Sequence, residues 1–488
     1  MNNNPFKKLA GQTVVYGLCS IVPRFLNYLL VPLHTGVFKT AEYGVITEIY
    51  AYVTFFVILL TYGMETGFFK FSQSEDKNKV YGTVFISLIT TSTLFIASIM
   101  IFAAPLATKI GYANNPEYLS WFAWILGLDA VMAVTFARFR LDERPLRFAF
   151  FKITNVLINI SLTMFFLWFC PKYADDSALL QKIYNHEIGV GYVFISNLAA
   201  SIITAGLLFP DMFRYKIGFD FSLWKKIVLY SLPLMIAGLA GNAIETIDRV
   251  MMKHRLSECA MPMEQVGIYG ANIKIATLMV LFIQMFRYAA EPFFFNIAKE
   301  KDSRETIASV MKYFIVFCLL IFLGVSFYID IIKYFLRKPE YWEGLSLVPV
   351  MLLGYLCMGI YFNLTIWFKL SSQTGYGLLI ASIGATISFA GNWLFIPVWG
   401  YHASAWVHLT CSIVMVYITW YIGKKHYPIP YPVKQIALYV FIAISLYFVA
   451  YFTKIENTSL NILKNTFIIA IFVTIIEKKE KLIEKIIH

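Results

Sequence analysis

By length alone, 488 residues would make two or three soluble domains. Composition excludes that class: 59% of the residues are hydrophobic and 14% charged, against roughly 45–50% and about 25% in soluble domains. The net charge of +12 invites a nucleic-acid partner, a reading that the distribution of the charge along the chain removes.

Apolar runs of about 20 residues recur throughout, each long enough to cross about 30 Å of hydrocarbon as a helix. They fall near 9–33, 43–66, 81–104, 118–137, 147–169, 188–210, 227–250, 266–289, 310–330, 345–368, 375–398, 401–422, 433–452 and 459–477. The runs are apolar on all sides and do not alternate as barrel strands do, so the fold class is an all-α membrane bundle of fourteen spans. An even count puts both termini on one side. With that side taken as cytoplasmic, Lys and Arg favour its segments by about two to one, as the positive-inside rule requires. The basic character therefore reports topology, and no nucleic acid is expected. The first residues, Met1 to Lys8, lead into span one without a cleavage-like site, so span one is expected to be retained.

Span two opens on Glu42-Tyr-Gly-Val-Ile-Thr-Glu-Ile-Tyr50, and 223 residues later span eight opens on Gln265-Val-Gly-Ile-Tyr-Gly-Ala-Asn-Ile273. This repeat pairs spans one to six with seven to twelve. The expected organisation is a six-helix lobe at 1–216, a second at 217–426, and two further spans with a basic tail at 427–488. Repeats of this kind build transporters that gate one half against the other.

Catalytic signatures are missing. The chain has no Gly-x-x-x-x-Gly-Lys-Ser/Thr loop, His186-Glu187 lacks a second His four residues after the first, and there is no Gly-x-Ser-x-Gly elbow. The six cysteines show no metal or redox spacing. An enzyme, a cofactor and a metal are not expected.

Charges inside spans are the candidate functional residues, since each costs about 2.5–3.5 kcal/mol at a helix centre. Arg24 and Lys274 lie at similar depth in the two halves, about 13 and 12 Å from the outer ends of their spans at about 1.5 Å per residue. Lys152 and Arg287 lie near cytoplasmic ends, where they could snorkel. Two readings stay open: a cationic cavity between the halves that holds an anionic head-group, or internal salt bridges to Asp129, Glu245 and Asp248. Glu245 and Arg249 are four apart and share a helix face. Asp129 has no local partner and would suit a proton carrier.

Several motifs together resemble a known family. They are Arg24-Phe-Leu-Asn-Tyr-Leu-Leu-Val-Pro-Leu33 with Glu42-Tyr-Gly44, the basic loop Arg140-Leu-Asp-Glu-Arg-Pro-Leu-Arg147, Ile247-Asp-Arg249 with Val266-Gly-Ile-Tyr269, and Asn392-Trp-Leu-Phe-Ile-Pro397 with Gly400. Their order and spacing resemble the Wzx-type polysaccharide flippases of the multidrug/oligosaccharidyl-lipid/polysaccharide (MOP) exporter superfamily. The resemblance implies a V-shaped, MATE-like bundle of two pseudo-symmetric lobes plus two C-terminal helices. It implies an undecaprenyl-diphosphate-linked oligosaccharide moved to the outer leaflet of the bacterial inner membrane, for O-antigen, lipopolysaccharide or other surface polysaccharide. Arg24, Lys274, Arg249, Arg287 and Lys152 are then the diphosphate-binding candidates, Arg24 matching a basic position of span one. Lys274 stands where related proteins often carry a cation; a Lys there lacks the two-pronged grip of Arg. Asp129, Glu245 and Asp248 are the candidates for coupling to Na+ or H+. Expected partners are membrane lipid and, for surface glycan assembly, a polysaccharide polymerase. The rival readings are a cation-coupled multidrug exporter of the same superfamily and a membrane polysaccharide polymerase or ligase.

The topology makes a direct prediction. Reporter fusions after residues 75, 218 and 428 should be cytoplasmic and those at 178 and 258 external; two reversals among the five would discard the fourteen-span arrangement.

Overall fold

The computed structural model describes residues 21–480 other than 216, 299, 301, 372 and 374, and only the backbone of residue 296. All regular structure among them is helical, and thirteen helices are long and apolar enough to cross a membrane. They are Thr40–Phe71, Lys77–Lys109, Glu117–Leu141, Pro145–Tyr173, Gly191–Met212, Phe221–Arg255, Glu258–Phe295, Ser303–Phe327, Pro339–Leu370, Gly375–Trp399, Tyr401–His426, Val433–Phe452 and Thr458–Glu480. One coincides with each of spans two to fourteen. The start of span one, 9–20, lies outside the described residues; its later part is helical at 21–28 and again over Val31–Val37.

Helix ends follow local chemistry. The Asp76 carboxylate caps span three by accepting from the N–H groups of Asn78 and Lys79, both at 2.8 Å. Asp220 caps span seven through the Leu223 N–H at 2.9 Å and pairs with Lys79 at 2.6 Å. The Lys79 ammonium and that N–H hold the Asp220 carboxyl below the usual carboxylate range. Span two is interrupted at Tyr62 and Gly63, which have φ of 29° and 72°. Gly63 is required there twice over, by its left-handed backbone and because a Cβ would lie 2.8 Å from the Ser231 carbonyl oxygen of span seven. Gly400, φ 55°, turns the chain between spans eleven and twelve. Beside that turn, buried Asn392 donates to the Ser388 carbonyl at 2.8 Å and accepts from the Ser404 hydroxyl at 2.7 Å, stitching the two helices together.

The chain divides into two compact units, one ending at Gly267 and the other beginning at Ile268. The first holds spans one to seven. Its core runs along one end of the bundle, where Phe68 of span two, Tyr81 and Phe85 of span three, Phe139 of span four, Leu208 of span six and Ile227 of span seven are almost wholly buried. Span seven, grouped by sequence with the second half, packs here along span two: Asn242 donates to the Thr54 hydroxyl at 3.0 Å. In the second unit, Trp367 of span ten is sunk against Gly423 of span twelve, where a Cβ would come within 2.8 Å of the indole. Buried Glu480 at the end of span fourteen accepts from Lys312 of span nine and from Gln435 and Tyr439 of span thirteen, fastening the two additional helices to the rest of the unit.

The repeat motif has a physical counterpart. Gly44 and Gly267, both within the first unit, occupy the same place in the two copies, and their backbones meet there. A Cβ on Gly44 would lie 2.1 Å from the Met263 carbonyl oxygen, and one on Gly267 1.8 Å from that of Thr40. Thr40 and Met263 are themselves 223 residues apart, so the crossing is self-complementary. Gly44→Ala or Gly267→Ala must push the helices apart, at a cost of about 1–3 kcal/mol or more. Each should lower the melting temperature of the purified protein by several degrees. Gly324→Ala, with open space around it, should leave it unchanged or raised; equal effects at all three positions would contradict the tight crossing.

Candidate substrate and coupling sites

The interior of the first unit gathers charges from several spans. Asp129 of span four is exposed on its helix among buried and half-buried neighbours. Its Oδ1 accepts from the Ser201 hydroxyl of span six at 3.1 Å. Lys152 of span five, which the sequence would allow to snorkel, is instead enclosed. It lies within electrostatic reach of Asp129, Glu65, Arg140 and Arg24, with its ammonium 4.2 Å from the centre of the Phe136 ring. Arg140 is paired with Glu65. Asp129, which has no partner within its own span, thus has two supplied by neighbouring helices. Arg24 is exposed on its helix within this same group of charges.

In span seven, Asp248 is buried and accepts from the backbone N–H of Arg249 at 2.8 Å, while the Arg249 guanidinium lies 4.0 Å from the same carboxylate oxygen. Glu245 is half-buried one turn earlier. Arg249 also reaches Tyr43 of span two electrostatically, so its surroundings are set by more than the i, i+4 spacing to Glu245.

In the second unit, Lys274 is the one exposed residue between Ile268 and Ala276, where every other side chain is buried. Arg287 lies near the far end of the same helix, its guanidinium 4.1 Å from the centre of the Phe362 ring. It lines a small cavity with Glu291, which accepts from Lys369 at 2.6 Å. The structure thus places Arg287 beside a local aromatic and ionic cluster.

One cluster was passed over by the sequence reading. Glu48, four residues beyond Gly44 in span two, is fully buried. Its Oε2 accepts from the Lys253 ammonium at 2.9 Å, from the end of span seven, and from the Tyr112 hydroxyl in the segment joining spans three and four. The Lys253 ammonium also lies 3.7 Å from the centre of the Tyr112 ring. Burial and the neighbouring Glu48 push the Tyr112 hydroxyl well above its usual range, so it stays a donor. Glu48 Oε1 is buried without a hydrogen-bond partner. The available signal was a carboxylate inside an apolar run. No group of three or more His, Cys, Asp or Glu that could hold a metal occurs among the described residues.

Residues 9–298, more than half of the chain, match the polysaccharide biosynthesis protein family. The chain belongs to that family. This polysaccharide biosynthesis family protein is accordingly a multi-pass membrane protein. Its fold is similar to that of the lipid II flippase MurJ in an inward closed conformation, with TM-score 0.73 and 13% identity over 96% of this chain and 99% of that one. It is also similar to an inward-facing multidrug resistance MATE family transporter of the MOP superfamily, with TM-score 0.65 and 11% identity over 85% and 97% of the two chains. No curated protein matches the sequence.

The Glu48–Lys253 pair is testable apart from transport. Lys253→Met strands a buried carboxylate and should destabilise the family protein by about 3–5 kcal/mol, read as a large loss of melting temperature. Adding Glu48→Gln should recover part of the loss. A Lys253→Met variant that melts like the wild type would show that the pair contributes nothing.

Proposed function

We propose that this protein moves an undecaprenyl-diphosphate-linked oligosaccharide from the inner to the outer leaflet of a bacterial inner membrane, for surface polysaccharide assembly, with both termini cytoplasmic. The observation that carries the reading is the exposure of two cations within apolar runs: Arg24, and Lys274, the one exposed residue between Ile268 and Ala276. A charge kept in hydrocarbon costs several kcal/mol unless it meets water, an acid or an anion. A diphosphate is the anion that the family's chemistry offers. Arg24 in the first unit and Lys274 in the second are each proposed to contact it during the cycle, with Lys152, Arg249 and Arg287 as further basic residues. The interior of the first unit carries Arg24, Lys152 and Arg140 against Asp129 and Glu65, a balance that favours an anionic substrate over the cationic drugs of a multidrug exporter.

Coupling is proposed to run through Na+ or H+ at a carboxylate. Asp129 is the foremost candidate because it is an exposed carboxylate within span four, with Ser201 as a further oxygen and Lys152 as a competing cation. Neutralising it would release Lys152 and change which conformation is favoured. Glu245 and Asp248 are the alternatives in span seven. A polymerase acting on the delivered glycan is the proposed protein partner.

The test is glycan export with membrane abundance measured in parallel. Arg24→Ala should abolish export at near-normal abundance and Arg24→Lys should restore part of it, while Asp129→Asn should slow export and weaken its dependence on the ion gradient. Normal export by Arg24→Ala would place the diphosphate contact elsewhere, and an unchanged gradient dependence in Asp129→Asn would remove that residue from coupling.

A further inference from the structure

A second basic feature of the first unit lies away from the charges discussed above. Arg144 and Arg147, at the start of span five, and Arg214, just after span six, line one cleft of about 470 Å³ together with Glu143, Pro145 and Leu146. Three guanidiniums and one carboxylate face the same space. Like charges repel, and the sequence had acids within reach to separate them. One of them, Asp142, is engaged elsewhere, and the other, Asp211, answers Arg147 alone. Asp142 accepts from buried Arg138 at 2.9 Å and from the Tyr215 hydroxyl at 2.8 Å, and the Arg138 guanidinium stacks 4.2 Å over the Tyr215 ring. Asp211 is paired with Arg147. Arg144 and Arg214 make no ion pair among the described residues. The Arg138–Asp142–Tyr215 network braces the two segments that carry the arginines, so the cleft is held open by structure on either side of it.

The surface beside the cleft identifies the occupant. Leu146 is 78% exposed and lines it, and Phe150, one turn further along span five, is 60% exposed. At the end of span six Phe209 and Phe213, also one turn apart, are exposed, with ring centroids 4.6 Å apart and planes tilted by 41°. Apolar side chains therefore run from the cleft along the spans, as acyl chains beside a head-group would need.

We propose that the Arg144–Arg147–Arg214 cleft binds the phosphate of an anionic membrane phospholipid, whose acyl chains lie along Leu146, Phe150, Phe209 and Phe213. This is a structural lipid site, separate from the residues proposed for the transported substrate. Arginine suits it because its planar fork takes two phosphate oxygens at once.

The test uses full-length protein, delipidated in detergent and titrated with phosphatidylglycerol, phosphatidylcholine or inorganic phosphate, with bound lipid counted by native mass spectrometry. Phosphatidylglycerol should bind at least tenfold more tightly than phosphatidylcholine, and inorganic phosphate at millimolar concentration should not displace it. Arg144→Gln with Arg214→Gln should remove that preference, and Arg144→Lys with Arg214→Lys should keep part of it. A matching melting temperature for the Gln double variant shows that folding is intact; if it unfolds, Leu146→Asp, which spoils the acyl strip and leaves the arginines, serves in its place and should weaken lipid binding. Equal binding of the two phospholipids, displacement by inorganic phosphate, or an unchanged preference in both the Gln and Asp variants would overturn the proposal.

Discussion

A backbone amide in hydrocarbon has no water to bond, and every structural choice in this chain follows from that. Helices satisfy the amides within each span, which is why all regular structure among the described residues is helical. Side-chain hydroxyls in the spans obey the same rule on a smaller scale. Thr47, Thr61, Thr83 and Thr91 each donate to the carbonyl four residues earlier, so they need no partner from another helix. Where the helical ladder is interrupted, at Tyr62 and Gly63, span seven packs directly against the break.

Lipid tails are as apolar as leucine, so burial alone does not hold membrane helices together, and close packing must. The glycines supply it. Gly44 and Gly267 let two backbones approach to a distance no side chain would permit, and Gly423 makes room for the Trp367 indole. The Asn392–Ser404 bond adds a polar stitch whose partners would otherwise be stranded. The repeat in the sequence is thus more than a trace of duplication, because its two glycines occupy one another's contact surface.

Charge is sorted by the same cost. Glu48 with Lys253 and Tyr112, Glu480 with Lys312, and Arg138 with Asp142 are internal clusters in which each ion meets its opposite, and the first two join segments far apart in the chain. Lys274, Arg24 and Asp129 are exposed within their helices, among neighbours that are buried or apolar.

Length and hydrophobicity of each run determined the class and the span order, because crossing hydrocarbon is a requirement that each segment meets by itself. The thirteen described helices therefore fall where the apolar runs predicted them, and the Asn392 and Gly400 motif was legible because it acts across a short turn. Partners between distant spans were not legible. Nothing in the spacing of Asp129 announces Ser201 or Lys152, which come from spans six and five, and Lys152 looked free to snorkel until the neighbouring helices enclosed it. Glu48 was visible as a carboxylate near a span's end, but its burial depends on Lys253 and Tyr112, more than 200 and more than 60 residues away. A membrane span is chosen locally by transfer free energy, whereas the meaning of a charge within it is decided by which helices pack around it, and only the tertiary structure fixes that.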